Sequence, residues 1–229
     1  MIKNLRWAAL AAVLLVLALA APAPAQAQKH TTPVRAALTR TVPIVAAVNV
    51  LPVAAEVREG YQRTSFRHWN AGADPSDGCN TRAEVLLSEA VDPPEVLPGC
   101  KLSGGRWWSY YDSKWITSAG ALDVDHMVPL AEAWDSGASQ WTAARREAYA
   151  NDLGASTSLV AVSAASNRSK ADQDPAQWLP PTVEVTCRYA AEWIGTKLRW
   201  GLTADAAELE ALDAIAEGCP GTTVSYQTA

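Results

Sequence analysis

The chain has 229 residues, a formal net charge of −5 and 49% hydrophobic residues. That apolar content excludes an intrinsically disordered protein, and the length suits one compact domain with a sizeable core. The acidic balance, taken alone, argues against function on DNA or RNA, because phosphate contacts favour basic surfaces.

The first residues set an expectation about compartment. Lys3 and Arg6 precede an uninterrupted apolar run from Trp7 to Ala21, and an A-x-A pattern follows at Ala25 and Ala27. This is the layout of a secretory signal peptide over residues 1–27, so a secreted protein is expected. A retained membrane anchor is the rival reading, but the run falls short of the roughly 20 apolar residues a spanning helix needs. Cleavage removes two bases, Lys3 and Arg6, and takes the net charge from −5 to −7. No membrane association is expected after it.

Residues 28–59 are rich in Ala, Val, Thr and Pro and show no sustained period, which reads as a linker, with weak β-character at 44–50. The folded domain is expected over 60–219 and a tail over 220–229. Tyr61, Ser65, Phe66 and Trp69 have the spacing of a short helix with an aromatic face, and Thr81 to Ala90 reads as a second helix. Asp92-Pro-Pro and Pro98-Gly are breakers. A hairpin is expected from 105–111 and 114–117 around Asp112-Ser113, then a strand from Leu122 to His126. A helix capped by Ser139 follows to Asn151, then a strand from Leu159 to Val162 and a helix opened by Ser163. Two helices, 183–200 and 203–217, complete the pattern. The nine tryptophans beyond Trp7 read as core and core edge more readily than as a stacking platform for bases.

Four cysteines in an exported chain suggest two disulfides, with three possible pairings. Cys79–Cys100 and Cys187–Cys219 are favoured because each pair lies within one local segment. A zinc site of four thiolates is disfavoured because no C-x-x-C spacing occurs.

The chemistry concentrates at Leu122-Asp-Val-Asp-His-Met-Val-Pro129. Two carboxylates, Asp123 and Asp125, precede His126 on an otherwise apolar strand, where charge is costly unless it binds something, and a metal is the natural partner. Further on come Asn151-Asp152 and Asn167-Arg-Ser-Lys170. In this order the three segments resemble the HNH, or ββα-metal, nuclease signature. The stretch from Tyr61 to Cys219 resembles, more closely, exported bacterial HNH proteins related to the C-terminal domain of GmrSD restriction endonucleases. The phrases that carry this are Gly78-Cys-Asn-Thr-Arg82, Asp123 to Trp134, Ser136-Gly-Ala, Ala150-Asn-Asp152, Asn167 to Lys170 and Asp174 to Pro181.

The resemblance implies an α+β fold, with a ββα-metal core built on a small antiparallel hairpin, wrapped by further helices and stapled by disulfides. It implies hydrolysis of phosphodiester bonds in DNA, and possibly RNA, with nucleic acid as the partner and no protein partner inferred. Asp125 and Asn167 would hold one divalent ion, Mg²⁺ or Mn²⁺, and His126 would act as general base. Asn151 would pin the loop before the next strand. Arg168, Lys170 and Arg82 are candidates for phosphate neutralisation. Strict alternation sends Asp125 and His126 to opposite faces, so Asp123 stands as the alternative ligand. A non-catalytic binding module on the same scaffold, or a structural envelope protein, are the competing readings.

Overall fold

The computed structural model describes residues 38–229; the expected signal peptide and the first residues of the expected linker lie outside them. Elements run in the order β1 (Arg40–Pro43), α1 (Ile44–Val48), α2 (Thr81–Glu89), β2 (Glu95–Leu97) and β3 (Lys101–Ser103). They continue with β4 (Trp107–Ser109), β5 (Lys114–Ile116), β6 (Leu122–His126), α3 (Leu130–Asp135) and α4 (Ala143–Ala150). The last are β7 (Leu159–Ser163), α5 (Ala164–Lys170), α6 (Thr186–Trp200), α7 (Ala206–Glu217) and β8 (Thr223–Tyr226). The architecture is α+β. Its strands form four separate antiparallel pairs, β1 with β8, β2 with β3, β4 with β5 and β6 with β7.

The pair that matters for function is β6 with β7, in the register Leu122↔Ser163 through His126↔Leu159. All five residues of β7 are buried, because both of its faces are covered. Leu122, Val124, Leu159 and Ala161 join Val85, Leu86 and Trp107 in one small cluster. Val160 and Val162 turn the other way, into the main core with Tyr189, Trp193 and Ile194 of α6. β7 passes straight into α5 because Ser163 caps that helix, its Oγ accepting from the Ser166 N–H.

Several expectations are corrected by the packing. Residues 44–48 form a helix rather than a weak strand, and Ile44, Ala47 and Val48 are buried in the main core. Neither the stretch ahead of residue 60 nor the tail behaves as a linker, since Arg40–Pro43 pairs with Thr223–Tyr226. The aromatic helix expected around 61–69 is one turn, Arg63–Ser65, in otherwise irregular chain. Tyr61 and Phe66 pack instead on Trp134. The helix cap expected at Ser139 belongs to Thr142, which accepts from Arg145 N–H, and α3 was not anticipated. Trp107, Trp193 and Trp200 are core residues, whereas Trp108 and Trp115 are exposed.

The two disulfides are Cys79–Cys100 and Cys187–Cys219. The second ties the start of α6 to the end of α7 across 32 residues. Loop-closure entropy puts the contribution of such a crosslink at about 3–4 kcal/mol. Replacing both Cys187 and Cys219 with serine is expected to lower the unfolding free energy by that order in a urea titration. A loss below about 1 kcal/mol would show that α6 and α7 hold together without it. Among the described residues no helix is long and apolar enough to cross a membrane.

Candidate active site

A cavity of about 280 Å³ opens at the end of β6, and Asp125, His126 and Asn167 line it together. Arg63, Arg168 and Asp172 lie on the same wall. Asp125 and His126 are consecutive, yet both line it because strand pairing ends at His126, where the chain turns through Pro129 into α3. The alternation that sets them on opposite faces therefore does not keep them apart.

His126 is buried, and its Nε2 lies 3.0 Å from the carbonyl oxygen of Ala150. A carbonyl only accepts, so Nε2 carries the proton and Nδ1 of the neutral ring is left with its lone pair. The ring is stacked against Trp69, centroids 5.2 Å apart, and against Tyr149 at 6.4 Å, with His68 edge-on. Burial pushes His126 down to about 3; the Ala150 carbonyl opposes this, and the charges of His68, Arg63 and Lys170 add to it. The imidazole is thus neutral at any ordinary pH.

Asp125 is equally buried. Its Oδ2 accepts from Tyr111 Oη at 2.7 Å and from Lys170 Nζ at 2.5 Å. Every hydrogen bond it makes falls on that oxygen, so Oδ1 is the one available to a cation. Asn167 donates through Nδ2 to Asp123 Oδ2 at 3.2 Å, which leaves its own amide oxygen able to bind a cation. Asp123 is not in the cavity wall. It receives Asn167 and an ion pair from Arg168 at 3.5 Å, and so orients the ligand amide. A carboxylate oxygen and an amide oxygen suit a hard divalent ion that keeps several waters.

Other expected site residues sit differently. Lys170 has no exposed surface: its ammonium donates to Asp125, to His126 O at 3.1 Å and to Met127 O at 2.7 Å. All three N–H bonds are used inside the protein, so none is left for a phosphate. Burial pushes the Lys170 amine down and the Asp125 carboxyl up, and each offsets the other's shift. Arg82 donates to the carbonyls of Ala119 and Leu122, clamping α2 to the start of β6, and does not line the cavity. Arg168 does, and is exposed.

Asn151 pins a different segment from the one expected. Its Nδ2 donates to Arg67 O at 2.7 Å and its Oδ1 accepts from Asn70 N–H at 3.0 Å. It therefore fixes the stretch that carries Trp69, which holds a left-handed φ of 60° as it covers His126. The loop before β7 is held by Asp152, which accepts from Gly154 N–H and Ser158 Oγ and is paired with Arg199. Arg63, Tyr111 and Trp69 were not singled out from the sequence. No motif marks them, because each reaches the site only through the tertiary fold.

Comparison with known proteins bears on this geometry. Residues 100–215 match the family described as GmrSD restriction endonucleases, C-terminal domain. The chain belongs to that family. Within this domain of the GmrSD restriction-endonuclease family fall β6, β7 and α5, and with them Asp125, His126 and Asn167; Arg63 and Trp69 precede the matched stretch. The chain is also similar to an uncharacterized secreted protein of Arthroderma benhamiae, 38% identical over 162 residues, covering 71% of this chain and 77% of the relative. No solved structure matches the chain.

Proposed function

We propose that the protein is a secreted, metal-dependent endonuclease of the HNH type that hydrolyses phosphodiester bonds, with β6, β7 and α5 as its ββα-metal core. The observation that carries this is the convergence of Asp125, His126 and Asn167 on one cavity, from the end of one strand and from a helix. Membership in a restriction-endonuclease family supports nucleic acid as substrate, with DNA favoured. Two disulfides suit an oxidising compartment, and the relative described as secreted supports export.

Asp125 Oδ1 and the Asn167 amide oxygen would hold one Mg²⁺ or Mn²⁺. When bound, such an ion stabilises negative charge on a phosphate and on the departing 3′ oxygen. His126 Nδ1 takes the proton of the attacking water, whose oxygen forms the new bond to phosphorus as the 3′ oxygen leaves. The Ala150 carbonyl holds the imidazole in the tautomer this requires, and Trp69 and Tyr149 fix its plane. Tyr111 and Lys170 hold the Asp125 carboxylate by its other oxygen. Arg168 and Arg63, at the cavity wall, are placed to meet substrate phosphate.

The test is digestion of plasmid, single-stranded DNA and RNA by the purified protein in Mg²⁺ or Mn²⁺. Cleavage that EDTA abolishes and added metal restores is expected. Absence of cleavage of all three substrates in Mg²⁺, Mn²⁺, Ca²⁺ and Zn²⁺ would reject the assignment.

A further inference from the structure

A second concentration of carboxylates lies outside the lining of the cavity at the end of β6. Donor oxygens of Glu56, Glu132 and Asp135 fall within 4.8 Å of one another, and those of Glu56, Asp174 and Asp205 form a second such triple. The bases nearby are already committed. Lys197, fully buried, is held by Glu132 Oε1 and Glu208 Oε2 at 2.9 and 2.5 Å. Arg58 is shared between Asp135 Oδ2 and Asp172. Among the described residues, Glu56, Asp174 and Asp205 form no ion pair.

One member of the first triple, Asp135, has an oxygen that lacks a partner. The side chain of Asp135 is 1% exposed, and its Oδ1 is buried without a hydrogen-bond partner. An unsatisfied buried carboxylate oxygen costs more than a lost hydrogen bond, because desolvation is not repaid.

We propose that Glu56, Glu132 and Asp135 form a structural divalent-cation site of the Ca²⁺ class, separate from the cavity at the end of β6. Oxygen-only donors, several of them carboxylates, at an edge open to water through Glu56 fit Ca²⁺ better than Zn²⁺ or Mg²⁺. Asp174 and Asp205, whose oxygens also gather around Glu56, deepen the negative field that draws the ion in. The ion fastens two segments. Glu56 belongs to the irregular stretch after α1, which lies along the chain before α7 through the Ala54 N–H to Ala204 O bond. Glu132 and Asp135 belong to α3, whose first residues, Leu130 and Ala131, line the candidate active site. A cation here therefore braces the helix that follows Asp125 and His126.

The test is thermal unfolding and calorimetric titration of the whole purified chain with CaCl₂ against EDTA. Affinities of extracellular calcium modules lie at roughly 10⁻⁴–10⁻³ M, and tenfold excess over Kd raises Tm by about 3–5 °C for a chain this size. That rise is expected to persist in Asn167→Ala, which removes a ligand of the candidate catalytic ion, and to disappear in Glu56→Gln. Glu56→Lys supplies a positive charge in place of the ion, and should raise the calcium-free Tm while abolishing the calcium response. No calcium response in the unaltered chain, or a response kept in Glu56→Gln and lost in Asn167→Ala, overturns the site.

Discussion

Replacing His126 with alanine is expected to lower the rate of phosphodiester hydrolysis by about 10²–10⁴-fold, the range general-base catalysis supplies, while the protein stays folded. The size of the effect follows from the geometry. Nε2 is spent on the Ala150 carbonyl, so Nδ1 is the one unengaged nitrogen of the ring that can take a proton. The pH profile carries a second, independent signature. An ordinary imidazole is half protonated near 6.5, and an enzyme relying on one loses rate as pH falls through that value. Burial holds His126 down to about 3, so its acid limb is expected well below 5. The same shift has a sign for stability: protonation is disfavoured in the folded state, so the contribution is intact above about 6.5 and is lost as pH falls toward 3. Single-turnover rates across pH 4–8 measure the first. A His126→Ala variant with more than a tenth of the parent rate would remove the imidazole from the chemistry.

Lys170 gives the second large effect, on stability. Lys170→Met keeps the length of the side chain and deletes its charge, which leaves Asp125 buried with only Tyr111 as a donor. Breaking a buried ion pair by removing one partner costs about 3–5 kcal/mol, and chemical denaturation in EDTA should show a loss of that order. The carbonyls of His126 and Met127 lose their donor in the same step, so the end of β6 is expected to loosen as well. Added Mg²⁺ should recover part of the loss, since a cation on Asp125 replaces the missing charge. A loss below 1 kcal/mol would mean that Lys170 does not hold the carboxylate in charged form.

How far the sequence reveals this arrangement depends on whether the signal is local. Leu122–His126, Leu159 onwards and the Ser163 cap are legible because alternation, apolar runs and capping residues act within a few positions. Asp125, His126 and Asn167 are legible because the order of short motifs is retained along the chain. Lys170 reads as a phosphate contact from sequence because nothing local shows its direction, and only the docking of α5 on β6 turns it into the core. Trp69 and Arg63 carry no local mark, since irregular chain brings them to the imidazole, and Asn151 holds that chain in place. The segment 40–48 reads as linker from sequence because a five-residue helix is too short to show a period, although Ile44, Ala47 and Val48 share one buried face while Val45 stays exposed.

The pairing of β1 with β8 has a consequence for how the protein is made. Thr41 and Ser225 share a hydrogen bond although they stand 184 positions apart. The closure entropy of so long a loop is about 4–5 kcal/mol when nothing in between is ordered, so this joint forms late, after the intervening helices and hairpins have shortened the search. An emerging or translocating polypeptide consequently lacks its final strand until its last ten residues are free, and the interior around Ile44 and Val224 stays wet until then.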